Sequence, residues 1–308
     1  MNHLEGIKFN KSDKRCDPLV GYNDEECSIF DDFKKRVYEE VKGGEDLSDF
    51  TLRRFLDADK HRKKGFKVDK SIERLKFTMT WREKYDIDKL RSRVPKTLKY
   101  YKAMRVRQFF GFDNQKRPVQ IERLGEFFAK YNASCRVLSE DEWKECYAWD
   151  IEGIFEEMRK SSTKCGVPVT KYVFIGDLSG FSFTCSADFL SYGVPLLKKL
   201  AHEIEKCYPE CAGPIILINA PYVVYGMYKA VKVFLDPVTA AKIEIHSNIP
   251  TERLLELMSS DALPKELGGT NIKPFRHCVP YGDVLIQRQK DEEDEAEENK
   301  SKIDTKET

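Results

Sequence analysis

No stretch of this chain approaches the ~20 consecutive apolar residues that a membrane-spanning helix needs, so any contact with a bilayer is expected to be peripheral. The opening residues Met1-Asn2-His3-Leu4-Glu5 lack the cationic and apolar regions of a secretory signal. Asn2 is no acceptor for myristate, and the end at Thr308 carries no prenylation motif. A cytoplasmic location, with reversible visits to membrane surfaces, is the resulting expectation. An excess of one charge is missing too: 53 Lys and Arg stand against 52 Asp and Glu, leaving no overall field to draw in nucleic acid. The glycine-rich phosphate loop, the dinucleotide fingerprint and the Gly-x-Ser-x-Gly nucleophile elbow are all absent. Leu178-Ser179-Gly180-Phe181-Ser182 resembles the last only superficially. The five histidines (His3, His61, His202, His246, His277) neither cluster nor stand at metal spacing, and Cys207 and Cys211 near His202 have no fourth ligand at a zinc-like distance in sequence. Nine scattered cysteines, an odd number, fit reduced thiols better than a disulfide framework. With no nucleophile, metal or cofactor signature, the chain is expected to need no cofactor and not to be an enzyme.

What is present is a globular composition. Hydrophobic residues make up 41% and aromatics 12% of 308 residues, enough for a substantial core. Residues 1–23 mix charge, Gly and Pro without periodicity and read as an irregular arm. Ile29, Phe33, Val37 and Val41 then recur every four residues, which predicts a helix over 24–42 ended by Gly43-Gly44. Ser48 or Asp49 is placed to cap a second helix carrying Phe50, Leu52, Phe55 and Leu56. A third, from Val68 to Lys84, offers Ile72, Leu75, Met79 and Trp81 to a core, completing a helical module over 24–92.

The pattern changes over 93–278. Val106–Phe110 and Pro118–Ile121 read as strands around a turn at Asp113-Asn114-Gln115, and Glu140–Lys160 as a long helix with Trp143, Tyr147, Ile151, Phe155 and Met158 on one face. Apolar runs at Tyr172–Gly176, Pro214–Asn219 and Ile243–Ile245 alternate with helical stretches at 187–206 and 223–235, followed by a helix over 251–259. Strands alternating with helices predict an α/β fold with a mostly parallel sheet. Residues 279–308 are dominated by charge, and an acidic, unfolded tail is expected there.

Three stretches together carry a resemblance. INAPYVV at 218–224, FLDPVT at 234–239 followed by Lys242, and LPKELGG at 263–269 occur in the order and spacing of the CRAL-TRIO lipid-transfer family. KRPVQIERLG at 116–125, FIGDLSGFSF at 174–183, TLRRFLDA at 51–58 and Trp81-Arg82-Glu83 add to the likeness, which runs over roughly 28–272. The pattern is most similar to the yeast-type phosphatidylinositol and phosphatidylcholine transfer proteins. It implies a helical N-terminal module on an α/β domain with flanking helices that form a lipid pocket.

On that resemblance the segment after INAP is a gate, with Val223, Val224, Met227, Tyr228, Val231 and Phe234 as gate or membrane contacts and Lys229 and Lys232 facing anionic headgroups. Glu210, Thr239 and Lys242 match the family's inositol headgroup contacts, and Ser182 and Thr184 match hydroxyls near a choline phosphate. Positions aligned with the choline cage read Gln120 and Ile151, so phosphatidylinositol is the favoured cargo over phosphatidylcholine. A sterol, retinoid or tocopherol, or a lipid-regulated adaptor role, is the alternative. One departure matters: Asp57 and Asp59 replace the two arginines of the family's FLRAR motif, and a carboxylate beside a phosphate repels it.

Overall fold

A computed structural model describes residues 3–10, 12–61, 65–130, 137–181, 202–203, 205–232 and 240–304. Asn23 and Glu26 close a capping box at the start of α1 (Asp24–Glu40), whose buried face is Phe30, Phe33 and Val37. The apolar stripe therefore runs through Phe30 rather than Ile29, one position on from the expectation. Gly43 turns the chain in the left-handed region at φ 73°, a conformation that costs glycine little. Ser48 caps α2 (Asp49–Ala58) by accepting from the Thr51 amide, and Leu52, Phe55 and Leu56 are buried. Phe50, expected in this core, instead packs edge-on against Phe9 of the arm at 6.1 Å. A two-stranded ribbon, β1 (Lys60–His61) and β2 (Gly65–Phe66), leads to α3 (Val68–Lys84), which buries Ile72, Leu75 and Trp81. The short helices α4 (Ile87–Arg93) and α5 (Leu98–Met104) follow, both beyond what periodicity signalled.

The sheet order is β3-β4-β5-β6-β7, made of Arg107–Phe112, Pro118–Glu122, Tyr172–Asp177, Ala212–Ile218 and Ile243–Ile245. β3 pairs antiparallel with β4 across the Asp113 turn, and every later neighbour is parallel. The β3–β4 register slips between Phe109 and Phe112, and Gly111 takes the φ of 113° that this irregularity requires. Between strands lie α6 (Leu124–Ala129) and the 26-residue α7 (Glu140–Cys165), capped by a Ser139–Glu142 box. The helix α8 (Tyr222–Lys232) joins β6 towards β7, and α9 (Thr251–Leu257) follows β7. The stretch expected to be helical over 187–206 falls largely outside the described residues.

Side-chain alternation divides the sheet sharply. On one face Val119, Ile121, Val173, Ile175, Ile216 and Ile218 are each 0% exposed, in one core with Leu254 and Met258. On the other, the register lines up Phe174, Ile215 and Ile243 in one row and Leu217 and Ile245 in the next, and all five are only half-buried.

The charged C-terminal segment is the clearest correction. Residues Tyr281–Asp304 form a helix, α10, where an unfolded tail was expected. Its first turns are anchored: Tyr281 and Val284 are buried in the sheet-side core. Arg288 pairs with Glu142 at 3.0 Å and Glu292 at 2.8 Å, and Asp291 accepts from Tyr100 and Lys99, each at 2.7 Å. Two apolar residues at a spacing of three were hidden among charges that are themselves matched across the interface.

The LPKELGG stretch shows why its glycines stand where they do. Gly268 has φ 92°, and a Cβ on Gly269 would come within 2.0 Å of the Leu263 carbonyl oxygen. Gly269→Ala should therefore lower stability by about 1–3 kcal/mol through overpacking. Gly226→Ala, in open space on a helix, should leave it unchanged or raise it by up to about 1 kcal/mol. Urea unfolding of both variants measures the contrast.

Candidate functional site

Parallel pairing brings the strand starts to one end of the sheet. Lys171 and Lys242 immediately precede β5 and β7, and Glu210 stands just before β6. The Lys242 ammonium meets the Glu210 carboxylate at 3.0 Å, so two of the expected headgroup residues are brought together as an ion pair, each partly accessible. Glu210 is held with φ at 52°, an uncommon conformation for a residue with a side chain.

A buried network fixes that turn. The Tyr208 hydroxyl donates to Glu152 of α7 at 2.6 Å, and Arg82 of α3 donates to the same oxygen at 2.6 Å and also bonds Asp88. Burial opposes ionisation of Glu152, but neighbouring positive charges and the tyrosine hydrogen bond overcome it, holding the carboxyl down to about 2. One network thus joins the helical module, the long α7 and the turn that presents Glu210.

Facing these strand starts is α2. Between them lies a cavity of about 200 Å³ whose walls include Phe50, Arg53, Arg54, Asp57, Lys171 and Glu210. Asp57 accepts from the Tyr22 hydroxyl at 2.6 Å and from Arg53 at 3.2 Å. Asp59 is fully enclosed, and against the opposing effect of burial Arg74 and Lys70, each at 2.8 Å, hold its carboxyl below the usual range. Both carboxylates that replace the family arginines are therefore already matched by cations of the module, and neither presents a bare negative charge to the cavity.

The helix α8 is tied down by two tyrosines: Tyr225 donates to the Ile245 carbonyl at 3.3 Å and Tyr228 to the Ala240 carbonyl at 3.1 Å. Val223, Val224 and Tyr228 are half-buried, Lys229 is exposed, and Tyr222 is 92% exposed. Of the other expected site residues, Ser182, Thr184, Thr239 and Phe234 lie outside the described residues, as do the side chains of Met227 and Val231. Gln120 and Ile151 are both buried.

The other end of the sheet is a latch rather than a site. Asn219 donates to Asp177 and to the Ser179 hydroxyl, both at 2.9 Å. Arg123 reaches Asp177 at 3.5 Å and Glu266 at 2.6 Å, lying 3.9 Å over the Phe275 ring. The ERLG, DLSG, INAP and LPKELGG stretches thus meet through Arg123, Asp177, Asn219 and Glu266. Among the described residues no group of His, Cys, Asp and Glu is arranged to hold a metal, Cys207 and Cys211 are buried free thiols, and no helix is long and apolar enough to cross a membrane. Lys171 and Arg54 were not anticipated from sequence; the signal available was their position, one directly before a strand and the other beside the buried Phe55.

The sequence model described as the CRAL/TRIO domain matches residues 104–269, more than half of the chain. The chain belongs to the CRAL/TRIO family. Among its relatives, the SEC14 cytosolic factor of Kluyveromyces lactis is 29% identical over 241 residues, covering 76% of this chain and 75% of that protein. The phosphatidylinositol/phosphatidylcholine transfer protein SFH12 of Arabidopsis thaliana is 26% identical over 256 residues, covering 80% of this chain and 44% of its own length. The crystal structure of Sfh5 superposes with a TM-score of 0.60 at 16% identity, over 88% of this chain and 98% of that one, a likeness of fold. The helical module, the mostly parallel sheet and the CRAL/TRIO motifs are thereby assigned to one known architecture.

The Glu152 network predicts an acid sensitivity. Its folded pKa lies below the ordinary 4.5, so its contribution is complete above pH ~4.5 and is lost as pH falls towards ~2. Glu152→Gln should cost about 1–3 kcal/mol at pH 7, because a neutral amide replaces the charge-assisted contact to Arg82, which keeps Asp88, and flatten the fall in stability below pH ~5. Urea midpoints across pH 3–7 test both.

Proposed function

We propose that this CRAL/TRIO protein holds one phospholipid in an apolar pocket of its α/β domain, with phosphatidylinositol as the favoured cargo, and exchanges it at membrane surfaces from the cytoplasm. The observation that carries the reading is the second face of the sheet, where Phe174, Ile215, Leu217, Ile243 and Ile245 stay half-buried while the opposite face is sealed. Moving a two-chain lipid through water exposes ~30 methylenes at about 0.8 kcal/mol each, on the order of 20 kcal/mol. An accessible apolar wall beside a tethered helix supplies the shelter that such a passenger needs. The relatives named as cytosolic factors and as a phosphatidylinositol/phosphatidylcholine transfer protein support it.

In this reading Glu210 and Lys242 select the headgroup, joined by Thr239 on the family pattern, with Lys242 meeting phosphate and Glu210 accepting from ring hydroxyls. Ser182 and Thr184 serve a choline headgroup on the same pattern. A neutral cargo such as a sterol would leave the Glu210–Lys242 pair without a purpose. The segment from α8 onward acts as gate on the family pattern, with Val223, Val224 and Tyr228 half-buried, Met227, Val231 and Phe234 as gate residues by sequence alone, and Tyr222 and Lys229 meeting the membrane.

Native mass spectrometry of the purified chain should show one copurifying phospholipid. Lys242→Ala should lower phosphatidylinositol loading roughly tenfold, as loss of one charge-assisted contact would, while phosphatidylcholine loading changes little. Equal loss of every lipid would reject the headgroup role. Reversing Lys229 and Lys232 together to Glu should slow transfer from anionic vesicles several-fold and leave neutral vesicles unaffected, read by fluorescent-lipid transfer.

A further inference from the structure

The arm that precedes α1 is bound to both halves of the protein. Its first residues dock on α7 and on the approach to β5. Arg159 donates to the carbonyls of His3 at 3.1 Å and Glu5 at 2.7 Å, and His3 meets the Val169 carbonyl at 2.9 Å. Further along, the arm holds α2: Arg53 donates to the Pro18 carbonyl at 2.7 Å, and Tyr22 donates to Asp57. Between these anchors lies a tight helical turn, Lys14–Cys16, capped by Asp13, which accepts the Arg15 amide and pairs with its guanidinium at 2.6 Å. That turn sets Cys16 against the end of α7, where its thiol donates to the Gly166 carbonyl at 3.7 Å. Cys165 is the last residue of α7, and its Sγ lies 3.5 Å from the next carbonyl, that of Val167. Gly166 caps the helix at φ 71°, so the chain leaves the helical path here. Two thiols distant in sequence are thus bound to successive carbonyls of one turn. Both are free and partly accessible, whereas Cys146, Cys207, Cys211 and Cys278 are buried. Partial burial, and then the charge of Asp13, raise the Cys16 pKa against the pull of Arg15, and the Cys165 sulfur is close enough to add to the rise.

We infer that Cys16 and Cys165 form a reversible disulfide that staples the arm to the end of α7. In a cytoplasmic setting both stay reduced at rest, and the bond forms on exposure to a small-molecule disulfide such as oxidised glutathione. The thiolate of one cysteine attacks that disulfide, breaking its S–S bond, forming a mixed disulfide and releasing one glutathione thiolate. The thiolate of the other cysteine then attacks the protein sulfur of the mixed disulfide, and the second glutathione leaves. The two protons lost by the protein thiols end on the two glutathione thiols, and the electron pair gained by glutathione is the one the protein gives up. A mostly protonated Cys16 makes this exchange slow. The bond closes a long loop, the case in which a cross-link removes most freedom from the unfolded chain. It also prevents the arm from lifting, and with the arm it fixes Arg15 and Asp17, which form part of the wall of the cavity beside α2. The inference stands apart from the carrier reading, because it concerns the arm and not the passenger.

The test equilibrates the full chain in glutathione buffers from reducing to oxidising, blocks the remaining thiols with iodoacetamide and maps the peptides by mass spectrometry. A peptide pair joined through Cys16 and Cys165 should dominate the cross-linked species and vanish when the buffer is made reducing again. Oxidation should raise the wild-type Tm by several degrees. It should also slow hydrogen exchange at least tenfold at the Cys16 and Tyr22 amides, which are bonded within the arm to the carbonyls of Asp13 and Leu19. Cys16→Ser and Cys165→Ser should each abolish both effects. Cys27→Ser, at a third partly accessible thiol, should keep them. Cross-links from Cys16 that reach Cys27 as often as Cys165, or glutathione adducts at Cys16 with no joined pair, overturn the inference. So does a rise in Tm that survives in Cys165→Ser, or a joined pair that changes neither Tm nor exchange.

Discussion

Parallel pairing of β4 to β7 is the constraint from which the polar end of the molecule follows. In a parallel sheet each strand enters from the same side, so the residues that precede neighbouring strands are stacked ~5 Å apart whatever separates them in sequence. Lys171, Glu210 and Lys242 are distant along the chain and adjacent in space for that reason alone. The same alignment sends Asp177 and Asn219 to the far end, where they bind each other and, through Arg123, the C-terminal segments. One end of the sheet is thus locked by satisfied hydrogen bonds. The other carries charges that are only partly matched.

The helical module completes the charged end instead of merely covering it. Helix α2 turns its core residues Leu52, Phe55 and Leu56 inward and sets Arg53, Arg54 and Asp57 against the strand starts. Arg82, Glu152 and Tyr208 fasten the module to α7 and to the turn before β6. Removing one member of such a network costs more than its presence contributes, because the partner is left charged and dry. Register between module and sheet is therefore fixed, and with it the geometry of the cavity they share.

Much of this was legible in the sequence. The start of the second helix at Ser48 followed from capping chemistry, the first helix from its apolar repeat, and the strands from short apolar runs between helical stretches. The ordered motifs identified the family, and Glu210 and Lys242 were placed together through it. Other features had no local signal. Arg54 sits on an ordinary helix, and only the fold shows that its neighbours are all engaged. The matching of Asp59 by Arg74 depends on a contact between helices that no spacing encodes. The α10 helix was obscured because Tyr281 and Val284 are too few to stand out against charge, while its partners Lys99, Tyr100 and Glu142 lie far away in sequence.

The separation of the two sheet ends has a bearing on how such a protein can diverge. The groups that hold the sheet together and the groups that would choose a passenger are a strand length apart and share no side chain. Lys171, Glu210 and Lys242 at the strand starts share no hydrogen bond with Arg123 or Asn219, so a substitution at one of them leaves those partners in place. The polar end can thus be retuned by substitution while the far end keeps the sheet in register.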